Sequence, residues 1–247
     1  MRPILPQAPR GGLCGKDGGV AVDLIVPLKR PSTGKSRLRG VLGHVGAEHV
    51  DDLAHPGDPA RHTELVLALA YDTLHAAVST PGVRRVLVVG SDPAALALLR
   101  ELDVEVVGEP SGPGGTDGLN AALRAGERLL RAKDPDSVVG ALQADLPALR
   151  PDELDTALTQ AGGERAFVAD RPGTGTTLLL SAPGAALRPR FGPGSARAHA
   201  LTGATAITAP LPSLRGDVDT PGDLDHARLL GLGERTRAVL DRACSRS

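Results

Sequence analysis

The sequence predicts a single α/β domain: a mostly parallel sheet sandwiched between helices, with a late antiparallel part. Three observations carry this expectation. Short apolar runs of strand length alternate with amphipathic helical segments between Asp23 and about Pro151, the pattern of a parallel sheet covered on both faces. Beyond Arg165 the pattern changes, and two strand-like runs follow one another across Asp170-Arg171-Pro172-Gly173, a turn that suits antiparallel pairing. The length of 247 residues fits one domain with a sizeable core.

Each element has its own warrant. Leu24-Ile25-Val26-Pro27-Leu28 is apolar and partly β-branched, a buried strand entering a loop. Residues 61–79 place Leu65, Val66, Leu69, Leu74, Ala77 and Val78 at helical spacing. Arg85-Val86-Leu87-Val88-Val89-Gly90 is a second buried strand, and Ser91-Asp92-Pro93 supplies a cap and a proline for a following helix. The unit recurs: Val104-Glu105-Val106-Val107 precedes a helix over about 118–131, and Val138-Val139-Gly140-Ala141-Leu142 precedes one beginning near Pro151. Ala166-Phe167-Val168-Ala169 and Thr176-Thr177-Leu178-Leu179-Leu180 are the late strands, expected to cover the open sheet edge and to form a pocket wall. The domain is expected over 23–230, after a disordered leader (1–22) and before a C-terminal tail (231–247). A polar insertion with several histidines is expected at about 43–61.

Composition narrows the partners. Glycine and proline make up about a fifth of the chain, below the level of a low-complexity sequence. A net charge of −1 gives no global field for nucleic acid or anionic membranes. Tyr71, Phe167 and Phe191 are the whole aromatic complement, too few for platforms on which bases stack. Every apolar run is interrupted by charge well short of a membrane span. Cys14 and Cys244 lie near opposite ends, consistent with a reducing, cytoplasmic setting. The sequence is silent on oligomeric state.

The chemistry concentrates at strand ends. Lys29-Arg30-Pro31-Ser32-Thr33-Gly34-Lys35-Ser36-Arg37 follows the first strand, and Lys29 and Lys35 are two of only four lysines against 24 arginines. A basic loop before a helix start is suited to phosphate, although a solvated basic turn gives the same pattern. The Walker-type loop is disfavoured because Lys29 stands where its first glycine belongs. Asn120, the single asparagine, follows a glycine-rich loop and can both donate and accept toward a base or ribose; a cap or turn is the plainer role. Asp145 closes the strand before Leu146-Pro147, at the carboxyl edge where open α/β sheets bind ligands. Asp217 and Asp219, two apart in Gly216-Asp217-Val218-Asp219-Thr220-Pro221, share one face of an extended segment. Carboxylates so placed suit Mg²⁺, which takes one or two of them and completes its shell with water and phosphate; a helix cap at Asp219-Thr220-Pro221 is compatible with that role. His44, His49, His55 and His62 form no zinc-like pair, and no serine sits in a Gly-x-Ser-x-Gly elbow.

In this order the residues resemble the 2-phospho-L-lactate or phosphoenolpyruvate guanylyltransferase family of coenzyme F-420 biosynthesis. The matching phrases are Val26-Pro27-Leu28-Lys29 through Gly34-Lys35-Ser36-Arg37-Leu38, Gly118-Leu119-Asn120-Ala121-Ala122-Leu123, and Leu142-Gln143-Ala144-Asp145-Leu146-Pro147. They continue with Phe167-Val168-Ala169-Asp170-Arg171-Pro172-Gly173-Thr174-Gly175-Thr176-Thr177, Arg190-Phe191-Gly192-Pro193-Gly194-Ser195 and Asp217-Val218-Asp219-Thr220-Pro221. The resemblance implies the nucleotidyltransferase variant of the α/β/α sandwich, similar to nucleotide-diphospho-sugar transferases. It implies that Thr176, Gly192 and Ser195 bind the carboxylate and phosphate of phosphoenolpyruvate, and that Asp145, Asp217 and Asp219 hold Mg²⁺. Lys29, Lys35 and Arg37 would offset the charge of GTP, with Asn120 near the nucleoside. Ala144 stands where the family often has glycine. The alternatives are 2-phospho-L-lactate as acceptor, a sugar-1-phosphate or cytidylyl transferase, and a noncatalytic GTP sensor.

Overall fold

The computed structural model describes residues 21–28, 36–38, 59–90, 92, 97, 99, 101–108 and 116–244. Lys29, Lys35, the leader through residue 20, the insertion through residue 58, most of the helix expected after Pro93 and the glycine-rich stretch 112–115 lie outside them. The strands are β1 (Val22–Leu28), β2 (Val83–Gly90), β3 (Glu105–Val107), β4 (Val138–Leu142), β5 (Ala166–Ala169), β6 (Thr176–Leu180) and β7 (Thr205–Ala206). Among the described residues they form one sheet in the order β3-β2-β1-β4-β6-β5-β7. β1 runs parallel to β2 and β4, and β2 to β3. β6 is antiparallel to both β4 and β5. The late strands therefore extend the sheet from the β4 edge, as the change of pattern after Arg165 implies.

The two faces follow from strand periodicity. In β1, Leu24 and Val26 point into one buried cluster and Ile25 into the other, because successive side chains alternate across the sheet. Helix α1 (Pro59–Val78) supplies Ala70, Leu74 and Ala77 to the first cluster; helix α2 (Thr116–Lys133) supplies Ala122, Leu123 and Leu130 to the second. Helix α3 (Pro151–Ala161) adds Leu154, Ala157 and Leu158 to the first. Its start has Pro151 at N1 with Asp152 and Glu153 in the first turn, and it ends at Gly162, whose φ of 57° lets the amide cap Leu158 and Thr159. Helix α4 (Ser195–Leu201) leans on the second face through Ala196.

A third cluster joins α1 to the C-terminal helices α5 (Pro221–Leu230) and α6 (Glu234–Cys244). Residues 231–247, read from sequence as a tail, thus include a packed helix whose Val239 and Leu240 are buried with Leu65 and Leu69. The reason is a cap supplied across the fold: both oxygens of the buried Asp72 carboxylate accept from the amides of Arg235 and Thr236, at 3.1 and 2.8 Å.

The amino ends of the strands are pinned by charge. Asp23 is fully buried and accepts from Arg84 and Arg85 at 2.7–3.2 Å. Burial pushes its carboxyl pKa up, but the hydrogen bonds and charges of the two arginines outweigh that and hold it below the usual range. The carboxyl ends of the strands are left to the loops that carry the site.

Candidate active site

A cavity of about 540 Å³ opens at the carboxyl ends of β1 and β4, the ligand-binding edge of an open α/β sheet. Its apolar floor is Leu28 of β1 with Val66, Leu69 and Ala70 of α1. Asp145, Asp217 and Asp219 line it, as do Thr176, Gly192 and Ser195. Six residues singled out from sequence, spread over four segments, are brought to one cavity.

The acids are held together by the backbone. The amide of Val218 donates to the carbonyl of Asp145 at 3.0 Å, and Val218 is fully buried in the third cluster. Burial of Val218 turns its neighbours Asp217 and Asp219 the other way, into the cavity, although the segment is not part of the sheet. The helix cap falls on Thr220, not on Asp219. Thr220 and Asp223 form a reciprocal capping box with Pro221 at N1, while the Asp219 side chain remains among the cavity-lining groups. Ala144 also lines the cavity, and its carbonyl accepts from Thr73 Oγ1 at 3.3 Å.

Arg37 is exposed on the 3₁₀ turn Ser36–Leu38. The next residue, Leu38, is buried in the cluster that also contains Val218. Asn120 lies in the first turns of α2, and its side chain brackets the backbone of Phe191: Nδ2 donates to the carbonyl at 3.0 Å and Oδ1 accepts from the amide at 2.9 Å. The Asn120 side chain thus ties α2 to the loop that carries Gly192 and Ser195.

That loop needs its glycines. Gly192 and Gly194 adopt φ of 137° and 72°, values side-chain-bearing residues rarely take, and the Ser195 amide closes the turn on the Gly192 carbonyl at 3.1 Å. The amide of Ala196 bonds Thr174 at 3.1 Å, joining this loop to the turn between β5 and β6. The turn is shaped by Asp170, which accepts from the amides of Thr174 and Gly175 at 2.8 and 2.7 Å. Arg171 then reaches Asp223 at 2.9 Å, linking this turn to the cap beside Asp219.

Three contributors had no assigned role in the sequence reading. Asp170 and Arg171 carried a turn signal, Asp-x-Pro-Gly, but nothing in it announces the ties to Gly175 and Asp223. His199 carried no signal: it is a lone histidine on a short helix, fully buried, packed edge-on to Phe191 with ring centres 5.1 Å apart. Burial, then the charges of Arg165 and Arg190, pulls its imidazole down to about 4.

The donor set fits a hard divalent cation in chemistry, since the carboxylate oxygens of Asp145, Asp217 and Asp219 share one cavity. Among the described residues no three His, Cys, Asp or Glu side chains close into a ready-made cage.

On this sheet, with carboxylates and hydroxyls lining a cavity at its carboxyl edge, the sequence comparisons identify a nucleotidyltransferase. The MobA-like NTP transferase domain family matches residues 61–215. The chain belongs to the phosphoenolpyruvate guanylyltransferase family: it is 48% identical over 221 residues to the phosphoenolpyruvate guanylyltransferase of Geodermatophilus obscurus, covering 89% of this chain and 94% of that one. It is 46% identical to that of Streptomyces scabiei, covering 89% and 95%. The fold is shared with a candidate nucleotide-diphospho-sugar transferase from Desulfovibrio desulfuricans G20, with a TM-score of 0.62 at 14% identity over 92% of this chain and 98% of that one. It is shared also with a 4-diphosphocytidyl-2C-methyl-D-erythritol synthase, with a TM-score of 0.52 at 18% identity over 86% and 99%. No helix among the described residues is long and apolar enough to cross a membrane.

Proposed function

We propose that the chain transfers GMP from GTP to phosphoenolpyruvate. An oxygen of the acceptor phosphate attacks the α-phosphorus of GTP in line, the bond to the β-phosphate oxygen breaks, and pyrophosphate leaves. The product is enolpyruvoyl-2-diphospho-5′-guanosine, the step the family performs in coenzyme F-420 biosynthesis. The observation that carries the reading is the convergence of Thr176, Gly192 and Ser195 with Asp145, Asp217 and Asp219 on one cavity. Relatives nearly half identical along almost the whole chain bear the name of this activity.

The acceptor phosphate is already an anionic nucleophile, so the protein needs no general base; its work is positioning and charge. Thr176 and Ser195 offer hydroxyls, and the loop at Gly192 a close backbone approach, to the carboxylate and phosphate of the acceptor. Lys29, Lys35 and Arg37 offset the triphosphate charge. Asp145, Asp217 and Asp219 would hold Mg²⁺, which supplies neutralisation of phosphate charge when bound. Asn120 lies near the nucleoside and also fixes the loop that carries Gly192 and Ser195.

The test is pyrophosphate release over a matrix of nucleotides and acceptors, with and without Mg²⁺. Release is expected with GTP and phosphoenolpyruvate in the presence of the cation. Preference for 2-phospho-L-lactate overturns the acceptor, preference for CTP or a sugar phosphate overturns the reaction, and thermal stabilisation by GTP without release under any acceptor marks a sensor.

A further inference from the structure

We infer that His199 is a positioning residue that fixes the polarity of the Thr176–Ser195 hydroxyl pair, so that the pair presents a hydroxyl proton to an anionic group of the acceptor. The inference deepens the proposed function and rests on its placement of the acceptor at these two hydroxyls.

Both ring nitrogens of His199 are engaged. Nε2 lies 2.9 Å from the backbone nitrogen of Arg190, and Nδ1 lies 2.9 Å from Thr176 Oγ1. A backbone amide can only donate, so Nε2 is the bare, accepting nitrogen. The neutral imidazole then carries its proton on Nδ1 and donates it to Thr176. Burial keeps the ring in this neutral form.

The direction of that one bond decides what the hydroxyls can do. Ser195 Oγ lies 3.2 Å from Thr176 Oγ1. The pair owns two protons and the bond between them uses one; with Thr176 already accepting from Nδ1, the other proton remains to be given outward. In the opposite tautomer Thr176 would donate to Nδ1 and Ser195 to Thr176. The pair would then turn only lone pairs toward the cavity and repel an anion. Thr176 and Ser195 are 5% and 2% exposed and both line the cavity, where a hydrogen bond to a phosphate or carboxylate is charge-assisted and poorly screened. The contact that sets the tautomer also anchors Arg190 at the start of the loop whose next residue Asn120 brackets.

The direct test is spectroscopic and needs no variant to fold. A long-range proton–nitrogen spectrum of the labelled full chain near neutral pH is expected to show His199 with Nδ1 protonated and Nε2 bare; a proton on Nε2 overturns the inference. The kinetic test is His199→Gln, which removes the Nδ1 donor. The KM for phosphoenolpyruvate is expected to rise about 10–100-fold, the range of a lost hydrogen bond to a charged group, while the KM for GTP stays within about twofold. An unchanged phosphoenolpyruvate KM, or an equal rise in both, overturns the inference. Failure of the wild type to use phosphoenolpyruvate overturns the proposed function instead, a result the spectrum does not produce.

Discussion

The carbonyl of Asp145 accepts the amide of Val218 at 3.0 Å, so two acidic segments far apart in sequence are hydrogen-bonded neighbours at the mouth of one cavity. Each segment depends on the other for its place. Asp145→Asn and Asp219→Asn are isosteric, leave that backbone contact intact, and should fold with unchanged circular dichroism. Each is expected to lower pyrophosphate release about 10²–10³-fold, the effect of losing one charge-stabilising group, or about 2.7–4 kcal/mol. The double variant should be little worse than either single one, because groups acting as a unit are not additive.

Thr220 and Asp223 cap α5 directly beside Asp219, whose amide donates to Asp223 at 3.3 Å. Thr220→Ala is expected to cost about 0.5–2 kcal/mol in urea unfolding and to reduce turnover several-fold by loosening Asp219. Arg171→Ala should cost under about 1 kcal/mol, since its bond to Asp223 is half-exposed. Burial raises the Asp223 pKa, but hydrogen bonds from Thr220 and Arg171 outweigh it and hold the group below its ordinary value. Its contribution to stability is therefore present above that ordinary value and is lost as pH falls through the folded one.

His199 gives the fold an acid sensitivity of defined sign. The unfolded chain binds a proton near 6.5 and the folded one near about 4, so the unfolded state holds more protons between these values. Stability should be full above about pH 6.5 and fall as pH drops toward 4, by about 3 kcal/mol in all. Urea titrations at stepped pH check this, and His199→Gln should flatten the slope in that window.

Gly175 is predicted to admit no side chain. A Cβ there would collide with the Asp170 carboxylate that shapes the turn. Gly175→Ala is expected to raise the KM for the acceptor well above that for GTP, because the disturbed turn is bonded to the Ser195 loop through Thr174 and Ala196.

The strands and the acids were legible because each has a short-range signature: short continuous apolar runs, a proline that ends the ladder after Asp145, and the two-residue spacing of Asp217 and Asp219. The antiparallel insertion was legible at Asp170-Arg171-Pro172-Gly173 for the same reason. What escaped notice depends on partners remote in sequence. Asp72 caps a helix more than 150 residues away, and nothing local to either marks the match, so the last helix read as a tail. Asn120 offers the same chemistry to a nucleoside or a backbone, and nothing local marks the approach of Phe191. The tautomer of His199 depends on an amide from a loop, information that no residue type encodes.

The dependence of α6 on Asp72 reaches the cavity. The amide of Gly233 also donates to Pro147, two residues beyond Asp145, at 2.7 Å, so the loop behind Asp145 is tied to the segment that leads into α6. Removing α6 would keep every acid and hydroxyl of the cavity, yet would leave Leu65, Leu69 and Ala148 without the Val239 and Leu240 that share their cluster. A helix that lends no side chain to the cavity lining thereby buttresses it from behind.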